Sequence, residues 1–419
     1  MSGETAALSG ILVLDLATAR AELAGRVLAE LGAEVRKLEP PGGTASRRLP
    51  PFDETTGDSL YWATVGRGKQ SLALDPLAAA NREAVLELVR DADVLIESFD
   101  PGVMASAGLG YRDLSQVNPG LIYVSVTPFG EAGPLADSPA SELTLEAAGG
   151  LLGLQGDGDR PPVPVGFPQA AFHAGVQAAA DATIALNERE RSGLGQYLDV
   201  SMQAAMVWTL MNATGYPKNS GGDPPRSGEK RTDPPPQLVP GVAVATLLPC
   251  ADGFVQYSAS LGALGARTSE GLTAWMAEEG VLPAAAEGIA WPTWAVDALQ
   301  GRLEIPRLQE TFAAIAAFIG TKTKFELMAR ATRDRLLLAP IYSIADIIID
   351  PHLAARDYWE DVRGRKSPGP FAKLSGTPLR KLAPAPVAVG GELPPPPPLA
   401  AGTAPPPRQQ NQPFAGLNF

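Results

Sequence analysis

The sequence predicts an α/β protein, in which an open, parallel, Rossmann-like sheet forms a large domain and a smaller α+β domain follows. The first supporting pattern lies near the start of the chain. Residues Ile11 to Leu16 form a continuous apolar run, which is typical of a strand buried on both faces. Helical spacing follows from Ala21 to Leu31, and a second short strand pattern occupies Glu34 to Glu39. Strand–helix–strand units of this kind build parallel sheets.

A second strand–helix–strand unit lies between Pro164 and Met202. An extended run precedes Pro168, and the glycines of the sequence SGLG end the helical pattern that follows. QYLDV, at 196–200, then has the composition of a strand. The helix is indicated by apolar residues at helical spacing, namely Phe172, Val176, Ala180 and Ile184.

Composition excludes several classes of protein. The 419 residues, of which 45% are hydrophobic and 19% charged, suffice for two domains. A formal net charge of -12 argues against a nucleic acid partner, because surfaces that bind many phosphates are positive. One cysteine and two histidines provide neither an intrachain disulfide nor a zinc site, so we expect no metal. Without a signal-peptide pattern or a bilayer-spanning apolar run, we expect a cytoplasmic protein with no membrane partner.

Changes in composition indicate the domain organisation. Residues 215–237 are rich in proline, glycine and charge, as expected of an extended, exposed linker. From residue 392 the chain is proline-rich and polar and cannot bury a core, so we expect this tail to be extended or disordered. The predicted ranges are 1–214 for the large α/β domain, 215–237 for the linker, 238–330 for the small α+β domain, 331–391 for a segment returning to the large domain, and 392–419 for the tail.

Five sequence blocks, in order along the chain, resemble one known family. They are LGAEVRKLEPPGG (31–43), GRGKQSLALD (66–75), DVLIESFDPG (93–102), NPGLIYVSVTPFG (118–130) and GLGQYLDVSM (193–202). Any one block alone would be weak, but the ordered series is specific. Over nearly its whole length the chain resembles the family III CoA-transferases, which include formyl-CoA transferase, carnitine CoA-transferase and α-methylacyl-CoA racemase.

The resemblance implies an architecture and a set of ligands. The family fold is a CoA-binding α/β domain and a small domain joined by long linkers, and two chains thread through one another as interlocked rings. We therefore expect an obligate dimer, either a homodimer or a pair with a homologous chain. The implied substrates are an acyl-CoA and an organic acid, and no tightly bound cofactor is expected.

The resemblance also places CoA contacts in several loops. The loop from Thr18 to Ala21 matches an adenosine-binding loop, with Arg20 where the family often has glutamine. Ser98 replaces a usual asparagine, Ser106 stands where the transferases often have a basic residue, and Lys69 matches a lysine that contacts CoA. The candidate CoA-binding residues are Ala19, Arg20, Gly66, Arg67, Lys69, Ser98, Phe99, Ser106, Thr127 and Phe129.

Basic residues give this site partial support that is independent of the family. Six of them lie close together near the start of an otherwise acidic chain, and the CoA phosphates require positive partners. A solvated surface is the competing interpretation of the same cluster. The six residues are Arg36, Lys37, Arg47, Arg48, Arg67 and Lys69.

The position of the family's nucleophile is unusual. The transferases have an aspartate in a pattern close to VGxPxxD, and the matching run VGFPQAA places Ala171 there. The histidine that the racemase branch uses is also missing, because its motif aligns with residues 140–142. Glu142 and His173 are the remaining candidates, but a structural role suits both better; His173 lies roughly 200° around a helix from Ala171. We therefore assign no catalytic residue.

Three functions remain open. In the first, this chain is the non-catalytic subunit of a CoA-transferase whose partner keeps the aspartate, an arrangement that benzylsuccinate CoA-transferase has within the family. In the second, it is a self-sufficient transferase or epimerase acting on acyl-CoA, with relocated chemistry. In the third, it binds CoA esters without catalysis. The acyl group and the acceptor acid cannot be read from the sequence.

Overall fold

The computed structural model describes residues 6–157, 160–224, 226, 237–259 and 262–389. Its contacts divide the chain into two compact units. Among the described residues, the first unit contains 6–138, 171–202 and 370–389, and the second contains 139–170 and 203–369 with the gaps already given. No helix in these described ranges is long and apolar enough to span a membrane.

A six-stranded parallel sheet forms the centre of the first unit, as the sequence predicts. Its strand order is β3-β2-β1-β4-β5-β6, the order of a doubly wound nucleotide-binding sheet. On one face, Leu14, Leu95 and Tyr123 join a buried apolar cluster. The strands are β1 (Leu12–Asp15), β2 (Glu34–Glu39), β3 (Lys69–Ala73), β4 (Val94–Glu97), β5 (Ile122–Thr127) and β6 (Tyr197–Ser201).

The strands of the second unit are short and antiparallel, in accord with the expected α+β class. Three of them form a sheet in the order β11-β10-β9, and the other four form two hairpin pairs. Trp291, Trp294 and Phe312 pack edge to face in the core of this unit. The strands are β7 (Gln237–Val239), β8 (Val242–Ala243), β9 (Leu247–Cys250), β10 (Gly253–Tyr257), β11 (Leu338–Ile341), β12 (Trp359–Val362) and β13 (Arg365–Pro368).

Helices connect these strands. In the first half of the chain they are α1 (Glu22–Glu30), α2 (Leu60–Val65), α3 (Arg82–Arg90), α4 (Val103–Ser106), α5 (Tyr111–Val117), α6 (Glu142–Ala148), α7 (Gln169–Ser192), α8 (Met202–Trp208), α9 (Met211–Thr214) and α10 (Tyr216–Ser220). The later helices are α11 (Ala263–Glu278), α12 (Trp294–Leu299), α13 (Ile305–Gly320), α14 (Lys324–Asp334), α15 (Ile344–Ile348) and α16 (Pro351–Ala355). Single 3-10 turns occupy Ala45–Arg48, Ala79–Asn81, Leu152–Leu154 and Ala284–Ala286.

The two units do not follow the predicted domain ranges throughout. Residues 139–170 and 203–214 group with the second unit, and this unit continues to residue 369 because β11 pairs with β10. The start of the predicted linker is helical rather than extended, since Pro217 fits the first turn of α10 and Gly221 ends the helix in a left-handed conformation. Residues 225 and 227–236 of the linker and the tail at 392–419 lie outside the described residues.

Helix α7 is present as predicted, but three of the four apolar positions that indicated it, Val176, Ala180 and Ile184, are exposed. Val176 and Ile184 are 51% and 68% exposed. Gly175 allows the close packing on the other face, because a Cβ atom there would lie 3.0 Å from the Cβ of Leu23. The buried face consists of small side chains, mainly Ala171, Ala174, Ala178, Ala179, Ala182 and Ala185.

Candidate functional site

The loops that follow β1 and β4 meet at the carboxyl edge of the sheet, where ligands bind in folds of this kind. The backbone N–H of Thr18 donates a hydrogen bond to Ser98 Oγ at 2.8 Å. Arg20 Nη1 donates to the carbonyl oxygen of Ser98 at 3.3 Å. The structure therefore brings together four predicted CoA-binding residues, Ala19, Arg20, Ser98 and Phe99.

Arg20 is the basic residue at this edge that a ligand can reach. Its side chain is 31% exposed, and Nη1 lies 2.7 Å from Asp100 Oδ1, whose side chain is 71% exposed. An exposed ion pair of this kind contributes little to stability. The guanidinium can therefore exchange Asp100 for a phosphate, which it binds more strongly through two parallel hydrogen bonds.

Thr127 and Phe129 lie at the end of the neighbouring strand. Thr127 is the last residue of β5, which pairs with β4 in parallel, and Phe129 is half-buried just beyond it. The Oγ1 atom of Thr127 is buried and has no hydrogen-bond partner among the described residues. A buried hydroxyl without a partner is costly. The amides of a pantetheine chain could provide the missing partner.

Gly66 and Arg67 lie away from this edge. A Cβ atom at neighbouring Gly68 would lie 3.0 Å from the Cβ of Ala29, in the last turn of α1. Because α1 returns the chain from the carboxyl end of β1 to the amino end of β2, this turn lies at the amino ends of the parallel strands. Arg67 is 2% exposed, and its Nη2 donates to the carbonyl oxygen of Leu382 at 3.4 Å. Ser106, at the end of α4, is exposed to solvent. These three positions do not join the loops after β1 and β4.

Lys69 points into the protein rather than towards a ligand. It begins β3, and its side chain extends beneath α1 until Nζ lies 2.6 Å from Asp15 Oδ2. The same Nζ donates to the carbonyl oxygen of Glu22 at 2.6 Å. Burial alone would raise the pKa of Asp15, but Lys37 and Lys69 reverse this effect and hold that pKa below its usual value. The side chain of Lys69, which is predicted to contact CoA, is therefore directed into the fold in this arrangement.

Other members of the basic cluster are also paired within the chain. Arg36 lies 2.7 Å from Glu34, and Arg47 Nε donates to Glu39 Oε2 at 3.0 Å. The guanidinium of Arg47 also lies over the ring of Trp62, 4.0 Å from its centroid. Sequence clustering indicated a phosphate-binding patch, but carboxylates from β2 are interleaved with these cations. Their charge is neutralised locally instead of facing a ligand.

The start of helix α7 carries the position expected to be catalytic. Ala171 is 5% exposed, and its methyl group provides no nucleophile. The ring of the next residue, Phe172, stacks on Tyr61 with the centroids 6.3 Å apart and the planes at 9°. The hydroxyl of Tyr61 donates to the carbonyl oxygen of Ala19 at 3.0 Å. Tyr61 therefore links the first turn of α7 to the predicted adenosine loop, a role that the sequence did not reveal.

Glu142 and His173, the two alternative candidates, have different surroundings. Glu142 is in the first turn of α6, and its Oε1 accepts a hydrogen bond from the backbone N–H of Ala170. His173 is half-buried, and its Nδ1 has no hydrogen-bond partner among the described residues. Burial lowers the pKa of His173, which favours the neutral imidazole at pH 7. Neither residue occupies the position of the family's nucleophile.

A cavity of about 580 Å³ is lined by residues of β4, β5, β6 and α5. Its polar floor is Glu97, which is 4% exposed, and Glu131, whose Oε1 accepts a hydrogen bond from Ser125 Oγ at 2.8 Å. Burial raises the pKa of Glu97 to about 7, and the nearby charge of Glu131 adds to this shift. Three aromatic rings in contact, Tyr111, Tyr123 and Tyr197, form its wall.

Sequence reasoning missed the buried acids of the site. Asp15 interrupts the apolar run ILVLDL, and this interruption was the one local signal that a charge lies inside the fold. Glu22 gave no signal, because an acid in the first turn of a helix is ordinary. In the described part of the chain there is no group of three or more side chains that could hold a metal ion.

Comparisons with known proteins identify the family to which the chain is similar. Residues 8–391 match the model of CoA-transferase family III. Subunit BbsE of succinyl-CoA:(R)-benzylsuccinate CoA-transferase from Thauera aromatica is 33% identical over 364 residues, which are 83% of this chain and 82% of the relative. Succinyl-CoA:mesaconate CoA-transferase from Haloarcula hispanica is 32% identical over 405 residues and 93% of each chain.

A solved structure extends the comparison to the fold. The crystal structure of a CAIB/BAIF family protein from Brucella suis has a TM-score of 0.74 and 27% sequence identity to this chain. The match covers 91% of this chain and 96% of the other. The α/β architecture of the parallel sheet and small antiparallel sheets is therefore shared with a structure of that family.

Proposed function

The chain belongs to CoA-transferase family III, whose enzymes move CoA between an acyl-CoA and a carboxylic acid, and we propose that it is a subunit that binds acyl-CoA without supplying the nucleophile. A homologous chain that carries the aspartate would complete the enzyme. The observation that carries this proposal is the alanine at position 171, in the first turn of α7.

The chemistry explains why this position matters. A carboxylate oxygen attacks the thioester carbonyl carbon, the new C–O bond forms as the C–S bond breaks, and CoA leaves as the thiolate. The CoA thiolate then attacks the enzyme's acyl anhydride, which releases the acid and leaves CoA bound as an enzyme thioester. The methyl group of Ala171 has no lone pair and cannot take part in either step.

Binding of the CoA ester has separate support at the carboxyl edge of the sheet. Arg20 is half-exposed with an exchangeable partner, and Thr127 holds a buried hydroxyl without a partner among the described residues. Ser98 ties the loops after β1 and β4 together. These three groups lie around the edge of the sheet where ligands bind in folds of this kind, which supports binding of the CoA ester.

A partner chain has two lines of support. BbsE, at 33% identity, is described as a subunit of its CoA-transferase. In addition, Val176 and Ile184 present apolar side chains to solvent along α7. Exposed apolar positions along one helix suit a protein interface. We expect a dimer in which the second chain covers this stripe, with the two chains interlocked as in the family.

A second candidate function places the reacting carboxylate on Glu142. The observation that favours it is the hydrogen bond from the N–H of Ala170, which puts an acidic group at the first turn of α7. In this version the chain is a transferase without a partner. An epimerase would need a pair of acid and base groups.

The proposal is tested by assaying the chain alone and together with its homologue for exchange of labelled CoA between an acyl-CoA and acids. We expect exchange only from the pair, and Glu142→Gln should leave the activity of the pair within about twofold. Glu146→Gln, one turn along α6, is the matched control, because Glu146 Oε2 accepts its hydrogen bond from the N–H of Val165 rather than from Ala170. Exchange by the chain alone that is lost in Glu142→Gln would support the second candidate instead.

A further inference from the structure

Four charged side chains are buried together beneath the loop that follows β1. They are Asp15, Glu22, Lys37 and Lys69, and none of these side chains is more than 1% exposed. Two cations and two anions make the group neutral. Lys69 Nζ lies 2.6 Å from one oxygen of Asp15, while Lys37 Nζ lies 3.3 Å from the other oxygen and 3.4 Å from Glu22 Oε1.

Three of these side chains, Asp15, Lys37 and Lys69, also hold the backbone of the loop. Asp15 Oδ1 accepts a hydrogen bond from the N–H of Ala17 at 2.9 Å, and Lys37 Nζ donates to the carbonyl oxygen of the same residue. At the other end, Lys69 Nζ donates to the carbonyl oxygen of Glu22 at 2.6 Å. The loop between Ala17 and Glu22 is therefore fixed at both ends by buried lysines.

There is no room for a phosphate beside Lys69. A Cβ atom on Gly25 would lie 2.4 Å from Asp15 Oδ2 and 3.2 Å from Lys69 Cε, so α1 closes directly over the ion pair. Lys69 is enclosed by its own fold and can influence a ligand only through the loop. Ala19 and Arg20, in the middle of that loop, are the residues that reach the carboxyl edge.

We propose that Lys37 and Lys69 are positioning residues, which hold the loop from Ala17 to Glu22 in the shape that receives the adenosine half of CoA. This inference rests on the proposed function, since it presumes that the chain binds CoA esters. It reassigns Lys69, which the family resemblance makes a ligand contact. The buried group also contacts the 3-10 turn that follows β2, because Ser46 Oγ donates to Glu22 Oε1 at 2.7 Å.

Removing one lysine alone would leave a buried carboxylate unpaired and could prevent folding. The test therefore uses the neutral double variant Asp15→Asn with Lys69→Met, which keeps the buried volume and the acceptor for Ala17 N–H. Asp93→Asn with Arg189→Met is the matched control. Arg189 and Asp93 form an ion pair at 2.7 Å near the opposite end of β1. There, Asp93 Oδ2 accepts a hydrogen bond from the N–H of Leu12, the first residue of the strand.

Calorimetric competition with full-length chains measures the affinity for acetyl-CoA and for S-acetyl-4′-phosphopantetheine. The second ligand lacks the adenosine half. Hydrogen exchange is followed at the amides of residues 18–22. We expect the Asp15/Lys69 variant to bind acetyl-CoA at least tenfold more weakly, to bind the pantetheine ester within twofold of wild type, and to exchange the loop amides at least tenfold faster. The control variant should match wild type in both affinities and in the exchange rate of the loop amides.

Three results would overturn the inference. Acetyl-CoA affinity within twofold of wild type would show that the lysines do not position the loop for ligand. Equal losses for both ligands would indicate a general effect on the fold, and unchanged exchange at 18–22 would show that the buried lysines do not hold the loop. If wild-type chain fails to bind acetyl-CoA, the proposed function itself fails, and this inference fails with it for that different reason.

Discussion

The carboxylate of Glu142 accepts a hydrogen bond from the backbone N–H of Ala170, in the first turn of helix α7. Ala171, the next residue, is where the family has its nucleophilic aspartate. A carboxylate beside the first turn of a helix is stabilised by unpaired N–H groups and by the helix dipole. The turn thus has an acidic neighbour even though position 171 carries only a methyl group.

Ala171→Asp should restore the missing group of the family. On mixing with acyl-CoA, we expect this variant to release one equivalent of CoA and to gain a hydroxylamine-sensitive acyl adduct at position 171, which peptide mass spectrometry detects. Wild-type chain should form none, because a methyl group cannot attack a thioester. Ala171→Asn has the same shape without a nucleophile and is the control. If Ala171→Asp binds acyl-CoA but forms no adduct, more than this residue has diverged.

Arg20→Met should weaken binding of acetyl-CoA by about tenfold, which is the loss expected when one charge-assisted hydrogen bond to a phosphate is removed. Isothermal titration calorimetry at fixed salt measures the change. Asp100→Asn is the matched control, because it removes the negative charge that is paired with Arg20. Its affinity should equal or exceed that of wild type. Equal affinities of wild type and Arg20→Met would place the phosphates elsewhere.

Glu97 should make the stability of the chain depend on pH. Burial raises its pKa from 4.5 to about 7, so between these values the folded chain keeps a proton that the unfolded chain releases. The free energy of unfolding therefore falls as pH rises from 4.5 to about 7 and levels off above that. At pH 8 the raised pKa makes the free energy of unfolding roughly 3 kcal/mol lower than it is near pH 4.5.

Glu97→Gln removes this titration, so the variant should be as stable as wild type near pH 4.5 and more stable at pH 8. Urea unfolding at the two pH values measures the difference. Glu83→Gln makes the same change on a side chain that is 85% exposed, and it should follow wild type at both. A constant difference between wild type and Glu97→Gln from pH 4.5 to 8 would contradict the buried, protonated carboxyl group.

Ile184→Glu should weaken association of the chain with its partner. Ile184 is 68% exposed, so the substitution removes no packing within the chain, but a charge in the proposed interface would be desolvated on assembly. Light scattering after size-exclusion chromatography should show a shift towards the mass of a single chain. Leu299→Glu, at a site that is 65% exposed on α12, is the control and should keep the native mass. An unchanged mass for Ile184→Glu would exclude this stripe from the interface.

Much of the parallel sheet follows from local patterns. Strand β2 has the predicted limits, Glu34 to Glu39, and α7 and β6 lie where the second strand–helix–strand unit places them. These elements are set by apolar periodicity and by glycine, both of which are properties of a short window. The meeting of the loops after β1 and β4 also follows, since parallel strands end at one edge.

Features that depend on distant residues could not be predicted. Lys69 pairs with Asp15, 54 positions earlier, and no local pattern distinguishes an inward lysine from one that faces solvent. The packed face of α7 consists of alanines because Gly175 lets the helix lie close to Leu23. Apolar periodicity instead indicated the larger Val176 and Ile184, which are exposed. Which face packs is decided by the neighbour, and the sequence of the helix alone does not contain that neighbour.

The most direct measurement is the native mass and composition of the chain purified with a tag from its own host. The account predicts a stoichiometric complex with a second family III chain that carries aspartate at the position of Ala171, and CoA-transferase activity in that complex. A homo-oligomer of this chain alone that exchanges CoA between an acyl-CoA and an acid would contradict it. In that event Glu142 would become the residue to replace first.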